Sequence, residues 1–197
     1  MKTIIKPAVW KILKLFYTNR NSSLHLREIA RETKMNESSI SRHLNNLVKQ
    51  GILKSSKEAN LKKFSVTKLQ ISKIFPLFDE EKLESLPLLR RDAIKIYIEK
   101  LEKKPLLVIV FGSTAKETFR KDSDIDILQI NSAKHENKET VRYVEAQTGL
   151  RLQVLNLTEE KFRKELKMKE DYVVQSALTT GFPVFNAKYY YEVITNE

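Results

Sequence analysis

Cysteine does not occur anywhere in the 197 residues. Disulfides and thiolate-bound metals are therefore ruled out, and nothing points to an oxidising compartment. Histidine is almost as scarce. His25, His43 and His135 stand far apart in the chain, which argues against a histidine-based zinc site. Four glycines and five prolines are too few for a fibrous or low-complexity chain. Long apolar runs are missing as well: the longest, Leu106–Phe111, has six residues, where about 20 are needed to cross a bilayer as a helix. The opening MKTIIKPAVWKILKLFY is interrupted by Lys6, Lys11 and Lys14 and lacks the unbroken apolar centre of a signal peptide. These absences lead to the expectation of a cytoplasmic protein with no membrane segment.

What the chain has in excess is positive charge, and its placement is uneven. Residues 1–75 hold 16 Lys and Arg against 4 Asp and Glu, a net of +12; residues 76–197 hold 20 against 21, a net of −1. A basic segment beside a near-neutral one suggests that the first meets a polyanion and the second has other work.

The basic segment reads as three helices and a hairpin. Pro7 opens a helix whose apolar face runs through Val9, Trp10, Ile12, Leu13, Phe16 and Tyr17. A polar stretch, Asn19–Ser23, ends it. A second helix follows in LHLREIARETK, with Leu26, Ile29 and Ala30 inward and Leu24 stapled against Ile29. Asn36 is placed to cap a third helix, ESSISRHLNNLVKQ, which Gly51 stops. In that helix Ile40, Leu44, Leu47 and Val48 form one stripe, and Ser38, Arg42, Asn45 and Lys49 lie opposite. Two strand-like runs, ILKSSKE and KKFSVTK, then meet at a tip near Ala59-Asn60. The pattern LREIARETKMNESSISRHLNNLVKQGILKSS resembles winged helix-turn-helix domains of small bacterial and archaeal regulators over roughly residues 7–68. The resemblance implies double-stranded DNA as partner, with the third helix in a major groove about 12 Å wide. Ser38, Ser39, Arg42 and Asn45 suit base edges. Lys54, Lys57, Lys62 and Lys63 on the hairpin suit phosphates or the minor groove, which position the domain without reading sequence. A homodimer is expected, because such regulators often read two-fold sites.

Between the two halves, a short helix ending near Phe75 and then a linker are expected, because of Pro76 and the acidic Asp79, Glu80, Glu81 and Glu84. Pro87 opens a longer helix, LLRRDAIKIYIEKLEKK, with Ala93, Ile96, Tyr97, Lys100 and Leu101 on one face. Pro105 ends it, and LLVIVF reads as a buried strand running into Gly112-Ser113. Ten residues beyond stands Asp124-Ile125-Asp126 within a second strand, DSDIDILQI. Residues two apart on a strand face one side, about 7 Å apart along the chain, so both carboxylates project together. Such a pair can ligate divalent cations in the manner of phosphoryl and nucleotidyl transfer. The Gly112-Ser113 turn lets backbone approach a phosphate, and Lys116 adds charge. Asp122, Asp124 and Asp126 also have the spacing of an EF-hand loop. Ile127 in place of its glycine and Ala133 in place of its glutamate exclude that.

The stretch FGSTAKETFRKDSDIDIL is similar to the signature of the DNA polymerase β-like nucleotidyltransferase superfamily, above all its minimal nucleotidyltransferases, over about residues 86–185. The resemblance implies a nucleoside triphosphate, ATP first among them, bound through two magnesium ions held by Asp124 and Asp126. Gly112, Ser113, Lys116 and Ser123 would hold the nucleotide, and a toxin or other protein would serve as acceptor. Two positions depart from the pattern. The third carboxylate, on the strand LRLQVLNLT, is Gln153, which cannot act as a base. Glu117 stands where the family favours glycine. An active transferase, a nucleotide sensor without turnover, and a dimerisation scaffold therefore remain open. The expected architecture is α+β: a winged helix-turn-helix over 1–70, a linker over 71–85, and a small α/β nucleotidyltransferase-like domain with a mixed sheet over 86–197.

Overall fold

The structure is a computed structural model describing residues 5–20, 22–58 and 60–196. Part of the hairpin tip expected at Ala59-Asn60 lies outside the described residues, as does Asn21 in the first polar stretch. The chain forms two compact units, Met1–Phe78 and Asp79–Glu197.

In the first unit, α1 spans Pro7–Thr18, β1 Leu24–His25, α2 Leu26–Thr33, α3 Glu37–Lys49, β2 Leu53–Glu58 and β3 Leu61–Val66. The core holds Ile12, Leu13, Phe16, Ile29, Ile40, Leu44 and Leu47, drawn from the apolar stripes of all three helices. Asn36 caps α3, its side-chain oxygen accepting the Ser39 N–H at 2.8 Å. Gly51 follows that helix at φ +69°, the left-handed conformation that ends a helix cheaply only in glycine. The two-residue β1 is an addition to the sequence reading. Leu24 pairs with Phe64 of β3, so the hairpin is widened to three strands in the order β1-β3-β2.

The helix expected to end near Phe75 does not end there. Instead α4 runs from Lys68 to Ser85 with Pro76 inside it, and occupies the segment read as a linker. An internal proline costs about 3 kcal/mol, but the helix carries aromatic side chains whose burial offsets it. Phe75 and Phe78 are buried and stack against Tyr17 at 5.5 and 5.3 Å, with Phe78 4.4 Å from Trp10. Beyond Phe78, Asp79 is not a solvated acid: it is buried and accepts the Tyr191 hydroxyl at 3.0 Å.

The second unit contains α5 (Leu88–Lys100), β4 (Leu107–Phe111), α6 (Gly112–Lys116), β5 (Ile125–Asn131), α7 (Lys138–Thr148) and β6 (Leu152–Thr158). It continues with α8 (Glu159–Met168), α9 (Tyr172–Thr180), β7 (Phe182–Phe185) and α10 (Ala187–Asn196). Its sheet has the order β6-β5-β4-β7. β5 and β6 are parallel, and the β4 pairings with β5 and β7 are antiparallel, so the sheet is mixed as expected. β7 was not expected; four residues containing Pro183 carry little strand signal.

Strand alternation divides the side chains between two faces. Val108, Val110, Ile125, Ile127 and Leu152 pack with Ala93, Ile94 and Tyr97 of α5 and Val144 of α7 in one core. Ile109, Phe111, Asp126, Leu128 and Gln153 take the opposite face, where α8, α9 and α10 lie. The first face also carries a chain of buried polar groups. Tyr97 Oη donates to Gln129 Oε1 at 2.5 Å, Gln129 Nε2 to Asn131 Oδ1 at 2.8 Å, and Asn131 Nδ2 to Asn156 Oδ1 at 3.3 Å. Burial pushes the Tyr97 hydroxyl up to about 12, so it stays a donor at neutral pH.

Candidate functional site

Because β4 and β5 are antiparallel with Phe111 opposite Asp126, the residue that leaves β4, Gly112, arrives beside the Asp126 carboxylate. The closeness is extreme. Gly112 has φ +64°, and a Cβ built there would lie 1.9 Å from Asp126 Oδ2. The carboxylate thus fills the space that any side chain at position 112 would need, and only glycine permits it. Ser113 follows in the first turn of α6.

Asp124 stands one residue before β5 rather than within it, yet its charge reaches its neighbour. Asp126 is held above the usual carboxylate range, first by burial and then by the negative charge of Asp124. The two charges thus interact across Ile125. Among the described residues no third histidine or acid joins them in a metal-binding group. The strand register shows why: the residue of β6 directly beside Asp126 is Gln153, which is exposed.

One residue escaped the sequence reading. Arg90, on α5, is 3% exposed. Its guanidinium donates to Thr114 Oγ1 at 3.0 Å, to Arg120 O at 2.9 Å, to Ser123 O at 2.6 Å and to Asp124 O at 3.5 Å, and lies 4.2 Å from the Phe119 ring centre. Burial lowers its pKa while the Asp124 charge raises it. This side chain therefore ties α6 to the segment that presents Asp124. The available signal was its spacing, since Arg90, Ala93, Ile94 and Tyr97 fall on one helical stripe and all four are buried.

The remaining expected residues take varied positions. The Ser123 hydroxyl accepts the Arg120 N–H at 2.8 Å, which makes it a turn former that keeps its own proton to donate. Lys116 is exposed in the last turn of α6. Glu117 follows as the helix C-cap at φ +58°, which explains a preference for glycine there, because the left-handed conformation costs other residues about 1–2 kcal/mol. Replacing Glu117 with glycine should accordingly raise the stability by about 1 kcal/mol, as an increase in the urea midpoint with an unchanged slope.

In the first unit, Ser38, Arg42 and Asn45 share an open polar groove along α3 with Ser41, Asn46 and Lys49. Ser38 Oγ donates to the Asn36 side chain at 3.0 Å. Ser39 gives its backbone N–H to the same cap, so its role as a base contact would fall to its half-buried hydroxyl. Lys62 Nζ reaches Asn45 Oδ1 at 3.4 Å, linking hairpin to helix. Lys63 is paired with Glu58 at 2.5 Å.

Fold and site together define a helix-turn-helix unit with a β-hairpin wing, joined to an α/β unit of nucleotidyltransferase type. Over residues 79–191, more than half of the chain, the sequence matches the family model described as "Nucleotidyltransferase domain". The chain belongs to that family. Over residues 6–55 it matches the model described as "Bacterial regulatory protein, arsR family". Among solved structures it is similar to a toxin–antitoxin complex crystallised with AMP-PNP (18% identity over 53% of this chain and 80% of that one, TM-score 0.41). It is also similar to MepR, a transcription regulator of the Staphylococcus aureus multidrug efflux pump MepA (18%, 49% and 77%, TM-score 0.35). A third is a mutant form of the toxin–antitoxin MntA-HpeT (16%, 53% and 79%, TM-score 0.39). No curated protein matches the chain. No helix among the described residues is long and apolar enough to cross a membrane.

Proposed function

We propose that the second unit binds a magnesium–nucleoside triphosphate complex and transfers a nucleotidyl group to a protein acceptor, while the first unit holds the chain on double-stranded DNA. The observation that carries the reading is the Asp126 carboxylate seated in the space that Gly112 leaves open. It sets one carboxylate of the Asp-x-Asp pair against the backbone turn that would face the phosphates. The pair also fits magnesium chemically. Two neighbouring carboxylates, one of them pushed up by burial and by the other's charge, are relieved by a hard divalent cation that takes oxygen ligands. Asp124 and Asp126 would hold the ions. Bound metal would supply charge neutralisation and orientation at the transferring phosphoryl group. The backbone at Gly112 and Ser113 would lie along the phosphates, with Lys116 and the Ser123 hydroxyl as further contacts. Arg90 keeps Asp124 in place without touching the nucleotide.

A second reading has its own observation. Gln153 lies in register with Asp126, where a carboxylate would help an acceptor lose its proton, and glutamine cannot take a proton there. On that reading the unit senses nucleotide without turnover. Incubation with labelled ATP, CTP, GTP or UTP and magnesium, alone and with cell extract, separates the two. The transferase reading expects label on a protein, lost in Asp126→Asn. Magnesium-dependent binding without label transfer would favour the sensor, and no binding of any nucleotide would overturn both.

For the first unit the groove along α3 supports DNA contact through Ser38, Ser39, Arg42 and Asn45, with Lys62 and Lys63 toward the backbone. Arg42→Ala should weaken specific DNA binding by about 1–3 kcal/mol in a gel-shift series. A chain with no salt-dependent DNA association at all would sink this half of the proposal.

A further inference from the structure

We propose that the second unit pairs with a second copy of this chain through the outer edge of β6, antiparallel and across a two-fold axis at Leu155. The order β6-β5-β4-β7 leaves β6 with a neighbouring strand on one side only. The directions of its backbone groups follow from one bond. Arg151 O accepts the Ile125 N–H at 2.9 Å, and backbone groups on a strand point to alternate edges from residue to residue. Gln153, Leu155 and Leu157 therefore face β5, while Leu152, Val154, Asn156 and Thr158 turn their N–H and C=O groups outward. The outward Leu152 N–H is met by Glu145 Oε1 at 3.0 Å. Those of Val154 and Asn156 have no acceptor among the described residues.

An open strand edge invites pairing with another chain, and proteins blunt it with charge, proline, a bulge or shortness. The other sheet edges among the described residues are treated in that way. β1 has two residues, and β2 carries Lys54, Lys57 and Glu58. β7 has four residues with Pro183 among them, and its pairing with β4 is bulged. β6 has none of these devices. Its seven residues, LQVLNLT, include no charge and no proline, and its register with β5 is unbroken. Val154, Leu155 and Leu157 are each only half-buried. The edge left unblunted is therefore also an apolar one.

Charge identifies the occupant. Arg151 precedes the strand, and Glu159 and Glu160 follow it. Antiparallel pairing of two copies centred on Leu155 opposes every residue of one strand to a residue of the other. It also brings the Arg151 of each copy to the acidic end of its partner. Parallel pairing would instead set like charges side by side, which is destabilising. Glu159 is also held by Arg163 and Tyr189 of its own chain, at 2.9 and 2.8 Å, so the exposed Glu160 beside it is the less engaged acid. The same register opposes Val154 to Asn156, and their outward backbone groups then exchange hydrogen bonds. Leu155 meets its own counterpart, where two half-buried leucines cover each other. Two four-stranded sheets become one continuous sheet.

The chain contains no cysteine, so a single introduced thiol reports the axis directly. Across a two-fold at Leu155, the two Cα atoms of that position stand about 4.5 Å apart in a non-hydrogen-bonded pair, within reach of a disulfide. The two copies of position 153 are offset by about 13 Å along the strands, beyond such a bond. In sedimentation the full chain should run as a dimer, at twice 23.0 kDa. Mild oxidation should cross-link Leu155→Cys and leave Gln153→Cys unlinked. Arg151→Glu, an exposed substitution, should raise the dimer dissociation constant at least about tenfold with an unchanged circular dichroism spectrum. A monomeric wild type, no cross-link in Leu155→Cys, equal cross-linking in Gln153→Cys, or a dissociation constant unmoved by Arg151→Glu would each overturn the proposal. None of these readouts involves nucleotide or DNA, so failure of nucleotidyl transfer would leave the proposal standing.

Discussion

Substituting alanine for Gly112 should lower magnesium-dependent nucleotide binding and any label transfer by about 100-fold or more. The methyl carbon would lie 1.9 Å from Asp126 Oδ2, far inside van der Waals contact, so either the carboxylate swings aside or β4 and β5 move apart. A loss of about 1–2 kcal/mol in stability is expected as well, from a side chain forced to φ +64°. Gly149 provides the control. It has φ +70° with nothing within 4 Å of the place a Cβ would take, so Gly149→Ala should show the same kind of strain and keep nucleotide binding. If Gly112→Ala bound nucleotide as the wild type does, the acidic pair would not be the metal site.

The second large effect is expected at Arg90. Arg90→Ala removes the donors that Thr114 Oγ1 and the Arg120 and Ser123 carbonyls share, and vacates the space beside Phe119. Hydrogen bonds to a charged group contribute about 1.5–3 kcal/mol each, though not additively, so a stability loss of about 3 kcal/mol is expected in urea unfolding. Arg90→Lys should recover little, because an ammonium group lacks the planar fork that reaches several acceptors at once. Magnesium affinity should fall in both variants, since the segment ending at Asp124 loses its anchor. Unchanged stability in Arg90→Ala would mean that these carbonyls find water instead, and the anchoring role would fall.

Periodicity and capping were enough to read most of the architecture. The stripe Ile40-Leu44-Leu47, the Asn36 cap and the stop at Gly51 each follow from local chemistry, and the structure contains all three. The pairing of Asp126 with the glycine turn was legible because both elements sit at the ends of adjacent strands, where spacing leaves little freedom. What stayed hidden depends on distant partners. β1 consists of two residues defined by Phe64, some forty positions away, and β7 of four residues defined by β4. Pro76 signals a break, and only the tertiary burial of Phe75 and Phe78 overrides it. Arg90 hid because a charge on a helix ordinarily marks the solvent side, whereas here backbone carbonyls replace the solvent.

The anchoring of that arginine sets a limit on where the chain can be cut. A fragment starting at Pro105 would keep every residue of the glycine-serine and Asp-x-Asp signature. It would nonetheless lose the one guanidinium that fastens the turn to the acidic segment, since that group comes from a helix some twenty residues earlier. The smallest working piece of this unit must therefore begin ahead of Pro87, and the signature alone is not a module that can be transplanted.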